Sequence, residues 1–223
     1  MFERTELLLG EETINEIKKQ KILIVGIGGV GGIALNALVR TGFSNITIID
    51  YDTFEISNLN RQILSDNLSI GLKKVEVAKR KMLEINKDLN IKALDIFLDK
   101  DNIQDIGTFD YIIDSCDSVD TKLELYKYAT ENNIKIISSM GMGNRVDLSK
   151  IGISRLDRTL NDPLAKKLRF LCKRNNINSK IPVVSSTELP RIDKKIASIF
   201  PVTNTAGIHL ANYIINDVIK QKE

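Results

Sequence analysis

Short apolar runs punctuate the chain, each closed by glycine or by acidic residues. "KILIV" (Lys21–Val25), "NITIID" (Asn45–Asp50), "IKALDIF", "FDYIIDS" and "IKIISS" are β-branched and nearly continuous. That is the pattern of strands covered on both faces of a parallel sheet. Helical spacing fills the stretches between them. Residues 11–20 predict a short helix before the first strand, and a second helix runs from about Val30 to Arg40 and stops at Gly42. In "GLKKVEVAKRKMLEIN", Val75, Ala78, Met82 and Ile85 share one side, and "VDTKLELYKYATENN" is a further helix. The order β-α-β-α-β-β-α-β predicts an α/β fold whose strand C-termini gather along one edge.

Beyond Gly143 the rhythm weakens. "IGISRLD" reads as an edge strand and "DPLAKKLRFLCKRNN" as a basic helix with Pro163 in its first turn. "IPVVSS" is a short strand, and "NTAGIHLANYIINDVIK" an amphipathic C-terminal helix. No repeat or low-complexity linker divides the chain. Residues 1–223 are therefore expected to form one domain, a nucleotide-binding core over 1–144 with a basic C-terminal extension over 145–223.

Composition narrows the class. With 43% hydrophobic and 27% charged residues the chain has a globular composition. No apolar stretch approaches the roughly 18–20 residues that span a bilayer. The acidic start "MFERTELLLGEET" lacks the features of a signal peptide, so the expectation is a cytoplasmic protein without a membrane partner. Cys116 and Cys172 form no CxxC pair and His209 is the only histidine, which argues against structural zinc and a disulfide framework. Both cysteines read as passive side chains, and His209 is given no role. The net charge of +3 is uneven: residues 1–144 carry 17 Lys and Arg against 22 Asp and Glu, residues 145–223 carry 15 against 7. A basic C-terminal part suits a polyanionic partner such as RNA; scattered surface lysines would give the same count.

"GIGGVGG" (Gly26–Gly32) lies between the first strand and its helix. Gly26 permits a tight turn, Gly28 lets the backbone approach a phosphate, and Gly31 lets helix and strand pack closely. The helix start offers free N–H groups to the phosphate. The fold class is thus a doubly wound, Rossmann-like, mostly parallel sheet with a C-terminal extension. Asp50, ending the second strand, stands where an acid reaches ribose hydroxyls. That serves NAD and ATP equally, so a dehydrogenase stays open here.

The next stretch, "DYDTFEISNLNRQI", separates the two. Asn58, Asn60, Arg61 and Gln62 crowded together have no evident use in a dehydrogenase. "GIGGVG" (with Gly29), Asp50, "SNLNRQ", "GLKKVEV" with Lys74, and "DSCDS" with Asp114 and Asp117 follow one another in order over about a hundred residues. In this the sequence resembles the ubiquitin-activating-like (ThiF/MoeB) superfamily, which uses ATP to adenylate carboxylates. The resemblance implies Arg61 and Lys74 on the triphosphate, although Lys73 is equal to Lys74 by residue type. It further implies Asn58 on a phosphate or the ribose, Gln62 in the nucleotide site, and Asp117 supporting Mg²⁺–ATP. Asp114 reads as structural. Arg4 matches an arginine that related homodimers extend into the partner's site.

Further stretches, "RTELLLGEE", "NLNRQI", "IISSMGMGNRVD", "NDPLAKKLR", "VVSSTE" and "IIND", resemble the branch that dehydrates threonylcarbamoyladenosine in tRNA. That implies adenylation of the threonyl carboxylate, then ring closure by the substrate's own carbamoyl nitrogen with loss of AMP. Intramolecular capture needs no enzyme thiol. Lys166, Lys167, Arg169, Lys173 and Arg174 form a candidate tRNA-contacting face, or an ordinary solvated one. "LPRIDKKIASIFPVTNTAG" is short for the branch. The alternatives are adenylation of a ubiquitin-like sulfur carrier's C-terminal glycine, and a non-catalytic nucleotide-binding acceptor in a sulfur relay with a sulfur-transfer partner.

Overall fold

A computed structural model describes residues 1–192 and 195–222. Helices α1 (Glu3–Leu9) and α2 (Glu11–Lys19) lead into β1 (Lys21–Val25), α3 (Gly31–Thr41) and β2 (Asn45–Ile49). Next come α4 (Lys74–Ile85), β3 (Asn90–Leu94), β4 (Tyr111–Asp114), α5 (Val119–Glu131) and β5 (Lys135–Ser139). The remainder is β6 (Ile151–Arg155), α6 (Pro163–Arg174), β7 (Pro182–Ser186) and α7 (Phe200–Lys220). The strands form one sheet in the order β3-β2-β1-β4-β5-β7-β6, parallel except for β6, which pairs antiparallel with β7 at the edge. The doubly wound α/β expectation and the edge strand at "IGISRLD" are both met.

Alternation along the strands explains their unbroken apolar runs. Ile22, Ile24, Ile46 and Ile48 enter a core shared with α2, α3, α4 and α7, while Leu23, Val25, Ile49 and Ile112 enter a second core on the opposite face. Each such side chain, fully buried, contributes roughly 1.5–3 kcal/mol, so both faces favour the same register. A third cluster, with Tyr126, Leu156, Leu168 and Cys172, packs α6 against α5. The last helix begins at Phe200, with Pro201 in its first turn, four residues before the expected Asn204. It crosses α3 so closely that a Cβ on Gly207 would lie 2.3 Å from the Val30 carbonyl oxygen. Helix α1 is unpredicted and buries no residue. No helix among the described residues is long and apolar enough to cross a membrane.

The topology places the site. From β1 the chain moves outward to β2 and β3, then returns to the other side of β1 as β4. Such a switch leaves a crevice beyond the strand C-termini. Val25 pairs with both Ile49 and Asp114, so Gly26, Asp50 and Ser115 leave three adjacent strands at one level.

Candidate nucleotide site

A crevice of about 420 Å³ opens at that switch. Its lining includes Gly26, Gly28, Gly29, Asp50, Asn58, Arg61, Gln62, Lys74 and Asp117. Nine residues expected to act together, spread from Gly26 to Asp117, thus meet in one place.

The glycine loop is shaped by contact. Gly26 has φ +89°, and a Cβ there would lie 2.8 Å from the Cys116 amide nitrogen; both the turn and the neighbour exclude a side chain. Gly31 lies behind the crevice rather than in it, where a Cβ would fall 1.9 Å from the Gly26 carbonyl oxygen. At Gly28 the same atom would meet nothing closer than 3.9 Å, which leaves room for a ligand, whereas at Gly29 it would lie 3.0 Å from the Arg61 carbonyl oxygen and 3.2 Å from the Thr203 side chain. Asp50 fixes the loop to β2, since its Oδ2 accepts the Ile27 N–H (2.6 Å) and its Oδ1 the Asp52 N–H (2.9 Å). The N–H groups of Gly28, Gly29 and Val30 donate to no group among the described residues. They form an open cradle at the start of α3.

The 55–62 segment turns back over this loop. Asn58 is buried, and its Oδ1 accepts the Glu55 N–H while the Glu55 side chain accepts from the Asn58 backbone. Arg61 directs one terminal nitrogen, Nη1, at the Ser57 carbonyl (2.6 Å) and Asn60 Oδ1 (3.0 Å). Its Nε and Nη2 have no partner among the described residues, leaving a guanidinium fork for a bidentate acceptor. Gln62 Oε1 is buried without a hydrogen bond, an unmet polar group of the kind that a ligand commonly satisfies.

Lys74, almost fully buried, pairs with Asp52 Oδ2 at 2.7 Å, and its N–H donates to the Asp52 carbonyl. Lys73 points instead to Asp95 and the Tyr51 carbonyl and does not line the crevice, so the two lysines alike by type are separated by direction. Asp117 is exposed in the crevice wall, and its carboxylate has no hydrogen bond or ion pair among the described residues. Asp114 is structural: fully buried, it accepts from Lys122 Nζ on both oxygens at 3.0 Å and from the Ser138 hydroxyl. Cys116 points its thiol at Asp114 Oδ1 (3.1 Å); burial first, then that carboxylate, pushes the thiol well above its ordinary value. Burial likewise raises Cys172.

Several features escaped sequence reading. Asp52 had a signal in its "DYD" spacing, but nothing local told which lysine it would hold. Tyr51 and Phe97, half-exposed and packed edge to face at 5.1 Å, join Ile96 and Leu98 in an apolar wall. Arg4 lies on the exposed α1 and does not line this chain's crevice. On α6, Lys166, Lys167, Lys173 and Arg174 are exposed and form no ion pair among the described residues. Arg169 departs from the expected face: its Nη1 donates to the Leu156 and Thr159 carbonyls and to the Thr159 hydroxyl.

Known proteins share this sequence pattern and fold. The ThiF family model matches residues 2–221. The tRNA threonylcarbamoyladenosine dehydratase of Bacillus subtilis is 30% identical over the whole chain, which spans 96% of it. Saccharomyces cerevisiae dehydratase 2 is 38% identical over 87% of the chain, which spans only 44% of that longer protein. Among solved structures, Escherichia coli tRNA N6-threonylcarbamoyladenosine dehydratase in complex with ATP superposes with a TM-score of 0.93 at 32% identity, over 99% of this chain and 94% of that one.

Proposed function

The chain belongs to the ThiF family, and from that premise we propose that it adenylates the threonyl carboxylate of threonylcarbamoyladenosine in tRNA and drives its cyclisation. One observation carries the reading: unpaired loop amides, the open fork of Arg61 and the free carboxylate of Asp117 face one crevice. ATP satisfies the first two directly, and the cation that accompanies its phosphates would satisfy the third. The cradle takes phosphate, the Tyr51–Phe97 wall gives a purine an apolar surface, and Asp50 stands at the ribose end. Mg²⁺, when bound with the triphosphate, neutralises phosphate charge, and Asp117 is the carboxylate that would hold it.

In the first step a threonyl carboxylate oxygen bonds to the α-phosphorus and the bond to pyrophosphate breaks. Arg61 and Lys74 stabilise the charge that moves onto the leaving phosphates; Lys74 exchanges Asp52 for phosphate as it does so. The carbamoyl nitrogen then attacks the activated carbonyl, loses its proton, and expels AMP. The net change removes the elements of water from the base and converts ATP to AMP and pyrophosphate. No enzyme nucleophile is needed. This accords with two cysteines that burial holds out of reactive surroundings, Cys172 fully buried and Cys116 turned onto Asp114.

On α6, Phe170 is 64% exposed and sits among Lys166, Lys167, Lys173 and Arg174. We assign this face to the tRNA, with cations on phosphates and the ring on an unpaired base. A tRNA substrate is compatible with the cytoplasm. Helix α1, which has no fully buried residue and exposes Leu7 and Leu8, supports a homodimer in which Arg4 reaches the other copy's crevice.

A strain lacking the gene should lose the cyclic base from its tRNA and regain it with the wild type but not with Arg61→Ala or Asp117→Ala. Normal levels of that base in the deletion strain would end the proposal. A neighbouring sulfur-carrier protein that alone stimulates ATP–pyrophosphate exchange would replace it.

A further inference from the structure

Between β7 and α7, residues 189–192 and 195–199 form a strap; 193 and 194 lie outside the described residues. Its apolar side chains do little to hold it, since Leu189, Ile192, Ile196 and Ile199 are all exposed. Asn144 holds it by hydrogen bonds. Its Nδ2 donates to the Ile192 (2.8 Å) and Lys195 (2.9 Å) carbonyls, and its Oδ1 accepts the Ala197 N–H (2.7 Å). Its backbone adds two more, donating to the Ala197 carbonyl (2.7 Å) and accepting the Arg191 N–H (2.9 Å). Asn144 sits at φ +62°, a left-handed position that asparagine tolerates. Beneath it, the buried Arg145 donates to the Gly141, Gly143 and Asn161 carbonyls, so the clip stands on a braced loop.

The strap's other end reaches the nucleotide site. Ser198 presents its carbonyl to Asn60 Nδ2 at 2.9 Å, and Asn60 Oδ1 accepts from Arg61 Nη1 at 3.0 Å. Just beyond, the Thr203 and Asn204 side chains of α7 donate to the Arg61 carbonyl at 3.4 and 3.2 Å. Arg61 is thus held at its backbone by the helix and at its guanidinium by the Ser57 carbonyl and, through Asn60, by the strap. Asn60 is exposed, so its amide is oriented only while Ser198 stays in place.

We propose that Asn144 is a positioning residue for Arg61, acting through the strap, Ser198 and Asn60 to hold the guanidinium with its fork free for phosphate. A long side chain already fixed in its bound orientation loses less freedom on binding. The inference rests on the reading that Arg61 grips the triphosphate.

Its test is a double-mutant cycle on ATP affinity in the full chain, with no tRNA present. Asn144→Gly removes the three side-chain bonds and keeps the left-handed backbone; Asn60→Ala cuts the link at an exposed residue. Each should weaken ATP binding about 5- to 20-fold alone and less than about 2-fold in an Arg61→Ala background, the non-additivity of residues acting through one another. Asn144→Asp, which keeps the acceptor and loses the donors, should fall between. Should Asn144→Gly fail to fold, Asn60→Ala alone carries the cycle. Weakening that persists undiminished without the Arg61 side chain would overturn the inference, as would unchanged affinity in folded variants. A wild type that binds no ATP would overturn the functional reading itself.

Discussion

Lys74–Asp52 and Lys122–Asp114 are the same chemical pair in different surroundings. In the first, at 2.7 Å, the lysine side chain is 8% exposed and the aspartate 48%. In the second, at 3.0 Å, both are 0% exposed, and Lys122 also reaches the Ser138 hydroxyl and the Ser139 carbonyl. A pair with one partner in solvent can open cheaply when a phosphate arrives. A pair with neither partner in solvent cannot, because either charge alone would be stranded in the core. The open pair is therefore one that a ligand in the crevice can displace, and the closed one braces the loop that carries Cys116 and Asp117.

The widest difference should appear in stability. Lys122→Met strands Asp114 and should cost about 3–5 kcal/mol in urea unfolding, whereas Lys74→Met should cost less than about 1 kcal/mol. Near-equal losses would erase the distinction. Activity should rank them in reverse: Lys74→Met, correctly folded, should lower the adenylation rate about 100-fold, the scale of removing one preorganised donor to a developing charge. A smaller effect should come from Asp52→Asn, which removes the competing anion. It should tighten ATP binding about 2- to 5-fold at low salt, with the gain shrinking as salt rises; weaker binding would mean that Asp52 helps hold the nucleotide.

How far the sequence told these pairs apart depends on what each signal encodes. The strands, the glycine loop and the order of Asp50, Asn58, Arg61, Lys74 and Asp117 were legible because they are local: apolar runs set strands, and residues just past strand ends must converge at a switch point. Asp114 could be placed at a strand end, but its partner could not. Lys122 is one lysine of a helix whose other charges face solvent, and only the packing of α5 on β4 and β5 reveals that it is buried. Arg169 misled for the opposite reason, a basic residue in a basic helix that turns onto its own loop. Helix α1 has no side-chain cap and no fully buried residue, so no pattern announced it. Asn144 acts only through a segment nearly fifty residues away.

The smallest expected effect concerns Glu188, whose Oε2 accepts the Val146 and Asp147 N–H groups at 2.9 Å. The Asp147 amide first, then that of Val146 against the effect of burial, lowers its carboxyl below the ordinary range. Its contribution is therefore complete above the ordinary glutamate range and fades as the pH falls through the lowered value. The stability gap between wild type and Glu188→Gln should be constant near neutrality and close in acid; a gap that widens in acid would reverse the sign.

The central claim is that ATP in this crevice is cut at its α-phosphorus by a tRNA-borne carboxylate. The direct measurement follows ATP and tRNA carrying threonylcarbamoyladenosine through one incubation with the protein, with nucleotides and digested nucleosides read by mass. The account predicts one AMP and one pyrophosphate for each base that loses a water. ADP and phosphate as products, or ATP consumed with the modified base unchanged, would contradict it.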